Sequence, residues 1–417
     1  MWKKAKAVSD MAKRKPKFSV GLTVIISLFT FIVGLIGGVI SPLYFAEARF
    51  TENITTDEFE VHDDTATYYT KSGKSGATEL TELDENAEVS VHFLELGNKY
   101  TGDCTLIKCG NTEILIDCGS KSNSIPTVDA YLKNYVTDGI LEYVIITHAH
   151  QDHYAGFATP EKVDSIFDLY ECKTIITFAG TNQKATSTMY KNYQRELAAE
   201  VAAGAKHYTA AQCYDETDGA QRVYELPSNV KLEILYNYYY YNKASTENDY
   251  SACCMLYAGD YKFLFTGDLE KDGEERLAER YKTDHSEYNY EEFSVDLYKA
   301  GHHGSKTSSN EKFLEVFKPK MCCVCCCAGS PEYTKTQENQ FPTQQFVDRI
   351  SKYTDKVYVT TLCVDYDKDE YVSFNGNIVV AVVGGTLGLK CSNNSVVLKD
   401  SDWFKQNRRC PDAWKTT

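Results

Sequence analysis

Three regimes of polarity follow one another along the chain. No charged side chain occurs from Phe18 to Ala46, a stretch of 29 residues, and about 20 apolar residues suffice to cross a bilayer as a helix. Residues 47–88 are rich in Thr, Glu and Asp and read as a polar linker. Its Lys71-Ser72-Gly73-Lys74-Ser75-Gly76 string lacks the earlier glycine and the preceding strand of a phosphate loop. From Val89 onward, short apolar runs end in turn residues. Val91–Leu96, Cys104–Cys109, Glu113–Asp117, Leu141–Thr147 and Thr174–Phe178 predict strands, as do Val230–Leu235, Ala252–Tyr257, Lys262–Thr266, Leu297–Ala300, Val357–Leu362 and Ile378–Val383. Gly110-Asn111 predicts a hairpin turn. Helical spacing marks Val128–Tyr135, Met189–Ala203 (stopped by Gly204), Gly273–Tyr281, Asn310–Phe317 and a helix starting over Phe346–Ser351. Strands interleaved with helices and hairpins predict stacked sheets flanked by helices.

Cysteine changes one element of this picture. Of 15 cysteines, five fall in Met321-Cys322-Cys323-Val324-Cys325-Cys326-Cys327-Ala328. Neighbours on a strand point to opposite faces, so these thiols cannot converge on one ion. The run predicts a buried strand that uses Cys as a small hydrophobe.

Charge is divided unevenly. Residues 1–40 carry seven basic side chains and one acid, Asp10, a balance of +6; of the 44 basic and 59 acidic residues in the chain, 37 and 58 remain, a balance of −21. So acidic a body argues against a general polyanion binder, although a local basic groove is still compatible with it. The basic residues before Phe18 place the N-terminus in the cytoplasm and the large domain outside. Ala46-Glu47-Ala48 has the form of a signal-cleavage site. The apolar run exceeds the ~7–15 residues of a signal core, which favours an uncleaved single-pass anchor in the plasma membrane. The organisation expected is a cytoplasmic basic segment (1–17), a transmembrane anchor (18–46), a linker (47–88), a folded domain (89–385) and a C-terminal extension (386–417).

Five of the nine histidines occupy two strings, Thr147-His148-Ala149-His150-Gln151-Asp152-His153 and Lys299-Ala300-Gly301-His302-His303-Gly304-Ser305. Between them, Phe265-Thr266-Gly267-Asp268 sets a carboxylate at the end of an apolar strand. His148 and His150 share a face on extended backbone and can reach one ion. Asp152 and His153 can serve a second, and Asp268 can bridge the two. This mixture of nitrogen and oxygen donors suits Zn, Mn or Fe better than Mg or Ca.

The H-x-H-x-D-H string, the Leu115-Ile116-Asp117-Cys118-Gly119 strand end and the later T-G-D resemble the metallo-β-lactamase superfold. The segments Gly301-His302-His303-Gly304-Ser305 and Gly102-Asp103-Cys104-Thr105-Leu106-Ile107, with the Asn375-Gly376-Asn377-Ile378 turn, are similar to the hydrolase domain of ComEC-type competence proteins and their stand-alone relatives. The likeness covers about residues 89–385. It implies an α/β (α+β), four-layer αββα sandwich and two divalent metal ions, Zn or Mn, with no organic cofactor. His148 and His150 would then hold the first ion, and Asp152 and His153 the second, with Asp268 shared. His302 is favoured to complete the second site while His303 donates a proton to the leaving group. Asp117 would orient a ligand histidine.

Some residues depart from the family pattern. A further histidine common before the T-G-D strand is absent; His207, in Ala205-Lys206-His207-Tyr208, reads as structural. Asp249, in Asn248-Asp249-Tyr250-Ser251, either supplies an oxygen in its place, which would favour Mn, or caps a turn. Gln340-Phe341-Pro342 stands where relatives carry Gly-His-Pro. Ser305, Thr307 and Ser308 either bond substrate oxygens or cap the helix near Asn310. His62, His92 and His285 have no supporting neighbours in sequence and read as surface or packing residues.

Together these features predict a membrane-anchored phosphodiesterase or nuclease that uses metal-activated water, with nucleic acid among its candidate partners. One alternative is hydrolysis of another ester, an envelope phosphodiester or a lactone. Another is a catalytically weak binding or assembly protein on the same scaffold. The double-histidine segment argues against a β-lactamase, and a single apolar stretch gives no channel. Oligomeric state has no signature in the sequence.

Overall fold

The computed structural model describes residues 67–69, 75–77 and 87–415. The chain divides into Met1–Thr55, which lies outside the described residues, and Thr56–Thr417. The expected anchor, Phe18–Ala46, and His62 also lie outside them. Among the described residues no helix is long and apolar enough to cross a membrane.

Two large mixed sheets form the domain. The ten-stranded sheet runs, edge to edge, Ser75–Ala77, Thr67–Tyr69, Thr386–Cys391, Ile378–Val383, Val89–Phe93, Thr105–Cys109, Thr112–Ile116, Ile140–Ile146, Glu171–Thr177, Lys206–Thr209. The eight-stranded sheet runs Glu370–Ser373, Val357–Asp365, Cys322–Ala328, Leu297–Lys299, Tyr261–Phe265, Cys254–Ala258, Val230–Ile234, Val223–Leu226. Each sheet has an antiparallel half and a run of parallel strands. In the first, Thr112–Ile116 through Lys206–Thr209 are parallel; in the second, Tyr261–Phe265 through Val357–Asp365 are. Open α/β sheets bind ligands beyond the carboxyl ends of their strands, and those ends carry both histidine strings.

Alternation along the strands builds three apolar layers. Val91, Phe93, Ile107, Ile114 and Ile145 of the first sheet meet Leu232, Leu256, Phe263, Leu297, Cys323 and Cys325 of the second in the central layer. The outer face of the first sheet (Leu106, Leu115, Val144, Ile175) packs on helices Ile125–Leu132 and Thr188–Ala203 through Val128, Leu132 and Tyr193. The outer face of the second (Met255, Leu264, Tyr298, Cys322, Val324, Cys326) packs on Lys271–Asp284, Glu311–Phe317 and Gln344–Ile350. The cysteine run is a buried strand whose thiols alternate between layers, as its sequence predicts.

Several boundaries are set by contacts that the pattern does not show. Residues 386–391 add a strand to the first sheet, and Leu398, Phe404 and Trp414 enter the outer core of the second, so the region expected as an extension packs on the domain. Two short strands, Thr67–Tyr69 and Ser75–Ala77, fall in the expected linker. Helix Ala210–Asp215 and strand Val223–Leu226 carry little periodicity of their own and go unpredicted. Helix Thr188–Ala203 stops at Gly204, whose φ of 123° favours glycine. Gly110 forms the hairpin turn at φ 58°.

His285 proves to have partners. Its Nε2 lies 3.0 Å from Glu233 Oε2, its Nδ1 3.3 Å from Glu287 Oε1, and its ring packs on Tyr281. Burial opposes the imidazolium, yet Glu233 and Glu287 raise its pKa above the usual value. A raised histidine pKa stabilises the fold fully below the unfolded value of about 6.5, and this contribution is lost as pH rises through the folded pKa. His285→Gln should therefore lower the melting temperature by about 2–4 °C at pH 6 and by less at pH 9, measured by circular dichroism.

Candidate metal centre

Three loops are stitched together by backbone hydrogen bonds at the edge shared by the sheets. Asp103 N–H donates to Asp152 O (2.9 Å), Cys118 N–H to His153 O (2.7 Å) and Gly119 N–H to Asp103 O (2.9 Å). The fit requires glycine at two points. A Cβ on Gly119 would lie 1.8 Å from Asp152 O, and one on Gly102 would lie 2.6 Å from Ser120 Cα. The G-D and D-C-G strings thus act as a clamp on the H-x-H-x-D-H loop. Asp117, His302 and His303 all adopt positive φ (58°, 47° and 53°), a conformation that costs of order 1–3 kcal/mol per residue unless the surroundings enforce it.

Side chains from both sheets converge inside this clamp. His148 Nε2 is 3.1 Å from His150 Nδ1 and 3.9 Å from Asp268 Oδ2. His153 Nε2 is 3.1 Å from the same oxygen and 3.2 Å from His303 Nε2. His303 Nε2 is 3.6 Å from Asp268 Oδ2 and 3.5 Å from Asp152 Oδ2. His302 Nε2 approaches Asp268 Oδ2 to 3.8 Å. Asp268, His148, His153 and His303 are at most 1% exposed.

The arrangement fits a cation. Among the described residues neither Asp268 carboxylate oxygen has a hydrogen-bond donor, although both are buried, and such groups normally carry a large desolvation cost. Imidazole nitrogens face one another across short gaps with no acceptor between them. Asp103, His153, Asp268 and His303 offer donor atoms within 4.8 Å of one another, a group that could hold a metal ion. Nitrogen and carboxylate donors of this kind suit a transition-metal ion.

The outer contacts set which ring nitrogen faces inward. Asp117 Oδ2 lies 2.8 Å from His153 Nδ1 and accepts the Thr147 hydroxyl at 2.7 Å, while its Oδ1 accepts Thr147 N–H at 2.8 Å. His303 Nδ1 donates to Cys325 O (2.8 Å). Both histidines therefore turn Nε2 toward the centre. Burial opposes a charge on His153, but Asp268, Asp117 and Asp103 hold its pKa well above the usual value. His303 is likewise pushed up to about 10 by Asp268 and Asp103 against burial. For His148 burial and the neighbouring His153 prevail and depress the pKa strongly. Asp268 stays ionised despite its burial because His153, His303 and His302 surround it.

The remaining residues singled out in the sequence fall in varied places. His303, rather than the favoured His302, lies against Asp152 and His153. His302 sits nearer the mouth, its side chain 20% exposed, with Nδ1 3.0 Å from the Thr307 hydroxyl and 3.4 Å from Asn248 Nδ2. Asp249 Oδ1 accepts Glu270 N–H at 3.3 Å, and burial with the Glu270 charge raises its pKa to about 6. Ser305 is buried and bonds Thr307, Ser308 donates to Leu269 O, and Asn310 rather than either serine caps the following helix. His207 lies on the edge strand Lys206–Thr209 and bonds Thr177 at 2.9 Å. His92 is buried against Ser90 and Tyr131. Phe341, of the Gln340-Phe341-Pro342 segment, sets its ring 5.6 Å from His302 and 5.8 Å from His303, and Tyr333 packs on it while donating its hydroxyl to Asp152 Oδ2 at 2.7 Å. Asp103 and Lys299, to which the sequence pattern gives no role, form a buried ion pair beside the centre. The signal was a lysine on a fully buried three-residue strand, rare unless the ammonium is paired.

The chain has similarities to known proteins. Over 116 residues, 28% of this chain, it is 27% identical to ComE operon protein 3 of Bacillus subtilis (strain 168), and it spans only 13% of the length of that curated relative. Among solved structures it is similar to the metallo-beta-lactamase fold protein YhfI from Bacillus subtilis, with 11% identity, 65% of this chain and 95% of that one covered, and a TM-score of 0.36. It is also similar to the short form of human tRNase Z, with 17% identity, 68% and 98% covered, and a TM-score of 0.32. The family model described as "Anti-Pycsar protein Apyc1" matches residues 94–338, more than half of the chain and both histidine strings. The family model spans both histidine strings and Asp268, and the chain belongs to the Anti-Pycsar protein Apyc1 family.

Proposed function

We propose that this protein is a membrane-anchored phosphodiesterase whose hydrolytic centre holds two divalent ions, Zn or Mn. The observation that carries the reading is the meeting of two histidine strings from different sheets over one buried carboxylate, Asp268. His148 and His150 would hold one ion; Asp152, His153 and His303 would hold the other, with Asp268 between them. Bound there, such ions supply Lewis acidity and water activation near neutral pH.

The chain's own groups account for orientation and proton delivery. Asp117 and the Cys325 carbonyl fix the tautomers of His153 and His303. His302 is left to protonate the leaving oxygen: Thr307 engages its Nδ1, which leaves Nε2 as the donor. Phe341 packs beside it at the mouth, between His302 and Tyr333. The uncharged Phe18–Ala46 stretch behind a basic N-terminus supports an extracytoplasmic domain on a single anchor.

One observation favours a second reading, a catalytically weak binding protein. The extra histidine of many relatives is absent, and His207 is engaged with Thr177 on an edge strand.

Two experiments separate these readings. Residues 47–417, freed of metal and then given Zn(II) at about 100 times the dissociation constant, should gain about 2.7 kcal/mol of stability, seen as a rise in melting temperature that Asp268→Ala abolishes. With metal present, bis(p-nitrophenyl) phosphate and single-stranded DNA should be tested beside a β-lactam. Phosphodiester turnover, lost in His150→Ala and Asp268→Ala with unchanged circular dichroism, is the expected result; metal uptake without any turnover would leave the binding reading. For topology, protease added to intact cells should digest the large domain, and its protection would reverse the outside placement.

A further inference from the structure

The proposed centre contains a buried ion pair that the hydrolytic reading does not use. Lys299 ends strand Leu297–Lys299, is 3% exposed, and pairs with Asp103 while its Nζ stays 3.8 Å from Asp268 Oδ1. Asp103, also 3% exposed, reaches two ring nitrogens at once: Oδ1 is 3.2 Å from His303 Nδ1, and Oδ2 is 3.6 Å from His153 Nδ1. These are the outward nitrogens of the two histidines whose Nε2 atoms face each other across 3.2 Å. Asp103 comes from the first sheet's opening loop and Lys299 from a central strand of the second, so the pair also ties the sheets at the depth of the centre.

We infer that Asp103 and Lys299 form a positioning pair: beside the hydrogen bonds to Asp117 and the Cys325 carbonyl, Asp103 is the one carboxylate that acts on the outward nitrogens of both His153 and His303, reinforcing their aim at one metal ion, and Lys299 holds that carboxylate in place without competing for the imidazoles. This rests on the metal-centre reading above. The physical reasons are two. A histidine ligand is aimed by what its other nitrogen contacts, and Asp103 is placed to act on both rings. Taken alone, Asp103 would add a further negative charge beside Asp268, Asp152 and Asp117; the Lys299 ammonium offsets it, and its point charge with three donors can serve Asp103 while remaining close to Asp268. Removing one partner would strand a buried charge and could unfold the chain, so the informative variant removes both.

The test is a titration of the metal-free chain (residues 47–417) with Co(II), followed by visible absorption and isothermal calorimetry, with no substrate present. The wild type should bind two ions. The double variant Asp103→Leu/Lys299→Met, in which both charges become apolar groups of similar size, should keep its circular dichroism spectrum and bind the first ion normally. Its affinity for the ion held by His153 and His303 should fall about 10–100-fold, with an altered d–d band for that ion. Lys299→Arg, which keeps the positive charge, should retain both ions. Two ions bound by the double variant with wild-type affinity and spectrum would overturn the inference and leave the metal centre standing. No ion bound by the wild type would remove the metal reading itself. One ion bound by the wild type and weakened in the double variant would support the positioning pair while removing the dinuclear arrangement.

Discussion

A carboxylate buried without a donor organises this molecule. Asp268 lies at the end of an apolar strand, and both its oxygens lack the hydrogen bonds that burial ordinarily demands. Histidines 148, 153, 302 and 303 gather round it from two sheets. Close packing in the central layer keeps the sheets in the register that this convergence needs. The loops around it adopt costly backbone conformations at Asp117, His302 and His303. Such strain persists only where surrounding structure enforces it: Asp103 and Cys118 bond the histidine loop and Gly119 bonds Asp103 around Asp117, while His302 N–H donates to Gly267 O in the second string.

Much of this was legible in the sequence because the chemistry is clustered locally. The H-x-H-x-D-H string and Asp268 each follow an apolar run with a clear period, so their placement at strand ends could be read directly. The cysteine strand was readable for the same reason. What could not be read depends on contacts across the sandwich. Asp103 resembles an ordinary turn residue until the fold brings it against His153 and His303. The order of His302 and His303 is invisible in sequence, since adjacent residues differ only in which way a left-handed turn points them. His285 looked isolated because Glu233 lies 52 residues away. The tail after Val383 has no strong pattern, yet it supplies a strand and the buried ring of Trp414.

The family likeness and the physical reading carry different parts of the conclusion. The family model spans both strings and Asp268. Local geometry adds how each ring is held: by Asp117 for His153, by a main-chain carbonyl for His303, and by Thr307 for His302. These outer contacts hold the three rings in different ways, although all three bring Nε2 to the same oxygen.

The cysteine strand has a consequence of another kind. All the described thiols other than Cys363 and Cys410 are buried, and burial raises the pKa of Cys322, Cys323, Cys325 and Cys326. A thiol so placed is shielded from alkylating reagents while the sheets stay closed. Because these sulfurs alternate between the two faces of one sheet, the protein carries a native reporter of breathing, in which modification of Cys323 or Cys325 registers parting of the sheets and modification of Cys322 or Cys326 registers a helix lifting away.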